Sequence, residues 1–215
     1  LRCINASNGV ELWKIEDFGC YFSAGGNAGS YFAIADGFLL SLNAYDNQIY
    51  CFGKGPSATT VTASPEVSVH GNSVLIKGTV TDQSPGAPGT PAIADESMQA
   101  WMEYVYEQQA IPGNAKGVDV SLDTVDPNGN FVHIGATTSD TDGKFSYMWT
   151  TPDVPGKYTI IATFAGSESY WPSYAETAII AQAAPPSPTP TPAAAPLPPY
   201  EMYTIGTGIA IIIAV

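Results

Sequence analysis

Positive charge, histidine and cysteine are all scarce in this chain. Seven Lys and Arg stand against twenty Asp and Glu in 215 residues, a formal net charge of −13, so attraction to nucleic acid or anionic lipid is excluded as a main mode of binding. The only histidines, His70 and His133, lie far apart, one beside a turn glycine and one in a strand pattern, and offer no metal-ligand spacing. The three cysteines, Cys3, Cys20 and Cys51, fall in the first quarter without a Cys-x-x-Cys pair, which argues against a disulfide scaffold or a zinc ribbon. One bridge with a leftover thiol, or three buried thiols in strands, are the remaining alternatives. There is no Gly-x-Ser-x-Gly elbow and no Gly-x-x-x-x-Gly-Lys-[Ser/Thr] loop, since Lys54 and Lys144 follow glycines only in turns. No catalytic constellation, metal or cofactor is expected.

A long hydrophobic run is also missing, with one partial exception at the end. Residues 202–215 carry no charge, but a helix across a bilayer core needs roughly 20 residues. Before them come Tyr200 and Tyr203, suited to an interfacial belt, and a proline-rich stretch from Ala183. The pattern predicts a stalk over 183–200 and the start of a transmembrane helix over 202–215, the alternative being a buried C-terminal element. The chain opens on Leu1 rather than Met and reads as an internal piece of a longer protein. No Lys or Arg follows Lys157, which places the preceding residues on the outer side of the membrane by the positive-inside rule.

What is plentiful is Gly, Pro, Thr, Ser and Tyr, with period-2 apolar runs between Gly, Pro, Asn and Asp turns. That pattern predicts an all-β chain. Composition divides it into a first segment over 1–55, a linker over 56–66, a second segment over 67–182, the stalk and the anchor.

The first segment shows three hairpins. Cys3 to Trp13 turns at Ser7-Asn8-Gly9; Tyr31 to Leu42 turns at Asp36-Gly37; Gln48 to Phe52 follows Ala44-Tyr45-Asp46-Asn47. Aligned without gaps, Cys3-Ile4-Asn5-Ala6-Ser7-Asn8-Gly9-Val10-Glu11-Leu12-Trp13 resembles the PQQ-type β-propeller repeat, Ala-x-Asp-x-x-Thr-Gly-Lys-x-x-Trp. Gly9 and Trp13 keep the pattern, whereas Cys3, Asn5, Asn8 and Val10 depart from it. The resemblance implies structural roles for both, Gly9 making the turn and Trp13 docking between neighbouring blades. A propeller needs roughly 4 to 8 four-stranded blades, so about 50 residues are its end. The resemblance carries no quinone with it.

The second segment alternates cleanly. Val67 and Val69 lead through His70-Gly71-Asn72 to Val74, Ile76 and Val80; Val118, Val120 and Leu122 precede the Asp126-Pro127-Asn128-Gly129 turn; Phe145, Tyr147 and Trp149 precede Tyr158, Ile160, Ala162 and Phe164. Six to eight strands at this spacing indicate an immunoglobulin-like sandwich. Gly78-Thr79-Val80-Thr81-Asp82, Ser139 to Ser146 and Pro155-Gly156-Lys157-Tyr158-Thr159 resemble the bacterial-Ig and carboxypeptidase-regulatory modules of prokaryotic surface proteins, and the combination with a propeller, stalk and anchor implies an archaeal one. A helical pattern is inserted over about 95–110, with Asp95 as its expected N-cap. Met98, Trp101, Met102 and Val105 form a stripe, with Tyr104 and Tyr106 beside it. It reads either as a partner-binding helix or as a cap on the sandwich. Asp140 and Asp142 with Asp126, Asn128 or Asn130 offer oxygens to Ca²⁺, but Asx turns account for them better. Asn5-Ala6-Ser7 is an N-glycosylation sequon.

These readings converge on a non-enzymatic, membrane-anchored surface protein acting in adhesion or recognition, or as an extracellular scaffold. Its partners would be the membrane and an extracellular protein or glycan, with no nucleic acid. The alternatives are a membrane-tethered quinoprotein dehydrogenase of which this is the C-terminal arm, and a structural envelope component.

Overall fold

The structure is a computed structural model in which residues 1–15, 32–43, 46–86 and 88–186 are described. They form thirteen strands and one helix, an all-β chain. The anchor (202–215), most of the stalk and Cys20 lie outside the described residues, and no helix among the described residues is long and apolar enough to cross a membrane.

The first segment contains two small antiparallel sheets. β1 (Arg2–Ile4) and β2 (Glu11–Lys14) pair as a hairpin. Asn5 N donates to Val10 O and Gly9 N to Asn5 O, both at 2.8 Å, and Gly9 holds φ +74°, where a side chain would be strained. β3 (Phe32–Ala35), β4 (Phe38–Asn43) and β5 (Gln48–Phe52) form a meander. Asp36 and Gly37 both take positive φ at its first turn, matching the right-handed twist of the strands they join. No closed propeller is formed by the described residues.

The second segment is two sheets around one core. Its strands are β6 (Ser57–Ser64), β7 (Val67–Val69), β8 (Ser73–Asp82), β9 (Asp119–Val125), β10 (Phe131–Thr138), β11 (Lys144–Thr150), β12 (Gly156–Phe164) and β13 (Ser173–Gln182). They are ordered β11-β8-β6 in one sheet and β10-β9-β12-β13-β7 in the other. Period-2 alternation sends Val74, Ile76 and Val80 inward from the first sheet, against Val120, Leu122, Ile160 and Ala162 of the second, all fully buried. Each large aliphatic removed from water in this way contributes about 1.5–3 kcal/mol. Gly78 is needed where β6 and β11 flank β8, because a Cβ there would sit 1.9 Å from Thr60 O and 2.4 Å from the Phe145 ring.

Two expectations are corrected. Residues 56–66 are not a linker: Ser57–Ser64 is a full strand paired with β8, burying Thr59, Val61 and Ala63 while Thr60 and Thr62 face outward. Its Ser-Ala-Thr composition disguised a half-apolar alternation. Val67–Val69 does not form a hairpin with β8 either, since β8 already has β6 and β11 on its two edges. The chain changes sheets across Ser64 and Pro65, and β7 pairs parallel with the end of β13, Ile180 opposite Val67.

Val61→Asp should therefore destabilise the protein by at least about 3 kcal/mol, the cost of an unpaired buried charge, read by urea unfolding. Wild-type stability in this variant would restore the linker reading.

Candidate functional site

The inserted helix α1 (Asp95–Glu107) is the element that sequence reasoning marked for interaction, and its seat is built from the main chain outward. Ala92 N donates to Val80 O at 3.1 Å and Ala94 N to Lys116 O at 2.9 Å, while Ala92 and Ile93 are fully buried. These contacts fix both ends of the insertion on the sandwich before the helix begins. Asp95 is not the N-cap. Ala94 holds that position, extended at φ −61° and ψ 146°, with no side-chain cap. The Asp95 carboxylate instead accepts from Ser169 Oγ at 2.6 Å, Glu168 N at 2.9 Å, Ser167 Oγ at 3.0 Å and Ser169 N at 3.1 Å. Four donors on one loop outcompete a local cap. The helix stops where Gln108 turns left-handed at φ 56° and its N–H returns to Glu103 O.

The apolar stripe divides. Trp101 is buried and Met98 packs against the sandwich core. Trp101 and Met102 line a crevice with Asp82, Pro91, Tyr106 and Tyr170, whose cavity of about 10 Å³ is near the minimum for one water. Val105, which also lines the crevice, and Tyr104, whose ring lies 5.4 Å from Trp101, are 39% and 37% exposed. The helix also reaches the first segment: Tyr106 lies against Tyr50, ring centroids 5.6 Å apart, and Gln99 Oε1 accepts from Lys14 N at 3.3 Å. The stripe thus seats the helix on the second segment, and Tyr106 and Gln99 beside it reach the first.

Electrostatics follow this packing. Burial raises the Asp95 carboxyl, but Ser169, Glu168 and Ser167 donate to its ionised form and hold it below the ordinary 3.8. Burial, then the hydrogen bond to Asp46, pushes the Tyr50 phenol up to about 12, with Tyr50 Oη donating to Asp46 Oδ2 at 2.7 Å. Tyr170 is likewise raised by burial first and by Asp82 next.

The other candidates are dispersed. Trp13 stacks on Phe52 at 5.4 Å and 21°, joining the β1–β2 hairpin to the meander, and Gly9 and Asn5 sit at that hairpin's turn. Cys3 is half-buried and Cys51 exposed, both free, so Cys51 departs from a buried thiol. His70 faces Asp153 at 3.4 Å, whereas His133 meets Asp123 at 2.8 Å across β9 and β10, so the histidines do not converge. Asp126 Oδ1 accepts from Asn128 N and Asn130 N, both at 2.8 Å, and Asp140 Oδ1 from Asp142 N at 2.9 Å and Lys144 N at 2.8 Å. Each carboxylate is used inside its own turn. Among the described residues no three His, Cys, Asp or Glu gather as a metal site.

Three features escaped sequence reading. Ser121, Asp123 and His133 cluster on the outer face of β9 and β10, but Asp123 (2.8 Å) and Ser121 (3.5 Å) both approach Nδ1. A nucleophile relay needs the hydroxyl and carboxylate on opposite ring nitrogens. Lys54 Nζ lies 4.8 Å over the Trp171 ring, a cation–π contact between the segments. Tyr158 Oη donates to Val154 O at 2.8 Å. Proline and glycine before a strand tyrosine were visible signals for this last contact.

The ionised Asp95 should stabilise the fold by on the order of 1 kcal/mol, the value for a charged acceptor discounted for exposure. Its folded pKa lies below its unfolded one, so that contribution is present above about pH 4 and lost as pH falls through the folded value. Asp95→Asn should be less stable than wild type at pH 7, the gap closing below about pH 4, as measured by urea unfolding across pH. A gap independent of pH would remove the carboxylate from this role.

No protein-family profile matches the chain and no curated protein matches it. Among solved structures, the sporulation control protein Spo0M of Bacillus subtilis is similar over 60% of this chain and 51% of its own, at 10% identity and a TM-score of 0.35. The alkylpurine DNA glycosylase AlkC of Pseudomonas fluorescens, bound to DNA containing an abasic site analogue, is similar over 60% of this chain and 31% of its own, at 12% identity and a TM-score of 0.32. The chain therefore spans about half and about a third of these two structures, and the likeness is too low to carry a functional argument.

Proposed function

We propose that this chain is the membrane-proximal part of a non-enzymatic cell-surface protein that adheres to or recognises an extracellular protein or glycan, with the second segment acting as an immunoglobulin-like spacer. One observation carries the reading: the chain enters and leaves that segment at opposite ends. β6 starts at Ser57, whose Oγ lies 2.8 Å from Ser173 Oγ at the start of β13. β13 ends at Gln182, whose carbonyl accepts from His70 N at 2.9 Å. Entry and exit are thus separated by the length of β13, ten residues, roughly 30 Å at about 3.4 Å per residue.

The strand order supports the immunoglobulin-like assignment. Strands β6, β8 and β11 correspond to A, B and E, and β9, β12 and β13 to C, F and G, with β7 and β10 completing the second sheet. Tyr158, near the start of β12, donates to the backbone four residues upstream, as in a tyrosine corner. Both seams between the sheets are bridged, Thr59 Oγ1 to Ser173 Oγ at 2.7 Å on one side and Tyr147 Oη to Ile134 O at 2.8 Å on the other. Bridged seams suit a monomeric spacer better than assembly through open edges.

The propeller-like assignment of residues 1–55 rests on Trp13 and on an uncovered face. Ala33, Phe38, Leu40 and Ile49 share one exposed side of the meander, the character of a sheet that stacks on another. The stalk and the uncharged run over 202–215 supply the attachment, the membrane core taking the apolar residues.

Proteinase K added to intact cells should cut within the stalk and release a soluble fragment containing residues 57–182, and before digestion the chain should sediment with membranes. Deleting 202–215 should move it to the soluble fraction. A chain protected on intact cells, or one that stays in membranes after the deletion, would contradict the reading.

A further inference from the structure

Asn5-Ala6-Ser7 is the sole Asn-x-Ser/Thr triplet among nine asparagines, and the fold places it at a surface turn. Ala6, Ser7, Asn8 and Gly9 are all exposed. The Asn5 main chain is tied at both ends, its N–H to Val10 O and its carbonyl to Gly9 N. Its side-chain Oδ1 accepts from Ser7 N at 2.9 Å. The acceptor end of the amide is therefore turned into the hairpin, while Nδ2, the end that carries the chemistry, has no partner among the described residues. Beside the turn, Ile4 and Val10 are each 56% exposed.

We propose that Asn5 is an acceptor for an N-linked glycan, an inference that rests on the cell-surface reading for its biological setting. The donor is a sugar chain carried on a polyprenyl phosphate or pyrophosphate. The Nδ2–C1 bond forms as the C1–O bond breaks, the electron pair leaves with the phosphate, and Nδ2 loses one proton to a base of the transferase. The glycan stands on the hairpin turn, where Asn5 is half-buried and Ala6, Ser7, Asn8 and Gly9 are exposed.

The test uses the purified full chain, incubated with membranes containing an oligosaccharyltransferase and its lipid-linked donor, with a sequon peptide as control acceptor. Intact mass should rise by one discrete glycan, mapped to Asn5 by peptide mass spectrometry. Ser7→Thr should keep the addition and Ser7→Ala should lose it. Asn5→Asp should lose it while retaining the Oδ1 acceptor of the turn and the wild-type Tm, which separates loss of the nucleophile from loss of the hairpin. An unmodified wild-type chain beside a modified control peptide, or a mass increment that survives Asn5→Asp, overturns the proposal. This assay needs no export, so a modified chain that is found inside cells would sink the surface reading and leave the site standing.

Discussion

Two main-chain hydrogen bonds at Gly55 set the relation of everything before it to everything after. Gly55 N donates to Ser169 O and Gly55 O accepts from Trp171 N, both at 2.8 Å, forming a parallel bridge to Tyr170. The same loop presents Ser167, Glu168 and Ser169 to the Asp95 carboxylate and inserts the buried Tyr170 ring next to Phe164. One short loop between β12 and β13 thereby fixes the junction of the segments, the start of the helix and the end of the core. Because its backbone donors and acceptors are satisfied by separate parts of the chain, losing any one of those parts leaves polar groups unpaired near the core, where each costs about 1–3 kcal/mol. The knot is cooperative for that reason.

The aromatic residues extend the same logic in two directions. Within the sandwich, Trp149 meets Tyr158 edge-on at 5.5 Å and 70°, and Tyr158 is fully buried with its hydroxyl satisfied by Val154 O. A large ring can be buried there because its polar tip has a partner. Between the segments, Tyr50 meets Tyr106, while Trp13 meets Phe52 inside the first. The inserted helix is therefore seated on the second segment by its apolar stripe and tied to the first through Tyr106 and Gln99.

Most of this architecture was legible in the alternation of side chains. β8, β9, β11 and β12 follow directly from Val74-x-Ile76, Val120-x-Leu122, Phe145-x-Tyr147-x-Trp149 and Tyr158-x-Ile160-x-Ala162, because a buried face repeats every two residues whatever its partner strand. β6 was missed because Thr and Ala carry too little hydrophobic contrast, and the pairing of β7 was missed because pairing is decided by which sheet edge is open, a non-local fact. The capping role expected of Asp95 failed for a related reason. A carboxylate beside a helix start reads as a cap until a distant loop supplies better donors. Of the candidate site residues, the stripe was legible as a stripe, but its division between seat and surface depended on Pro91, Tyr50 and Tyr170, none of them adjacent in sequence.

The acidity of the chain also acquires a local meaning. Asp46, Asp82, Asp126 and Asp140 each accept the backbone N–H two residues ahead, at Gln48, Ser84, Asn128 and Asp142, the Asx device that fixes a tight turn between strands. Asn5 and Asn8 do the same without charge, for Ser7 and Val10. A net charge of −13 therefore overstates how much of the acidic surface is arranged for a partner, since several carboxylates are there because a short acceptor closes a turn. At Asp46 and Asp126 the turn holds the carboxyl below its ordinary value and is coupled to pH, whereas an Asn acceptor carries no charge to lose. The Asn5–Gly9 hairpin of the first segment is closed by the uncharged kind of acceptor, so its turn does not share the pH coupling of the Asp46 and Asp126 turns.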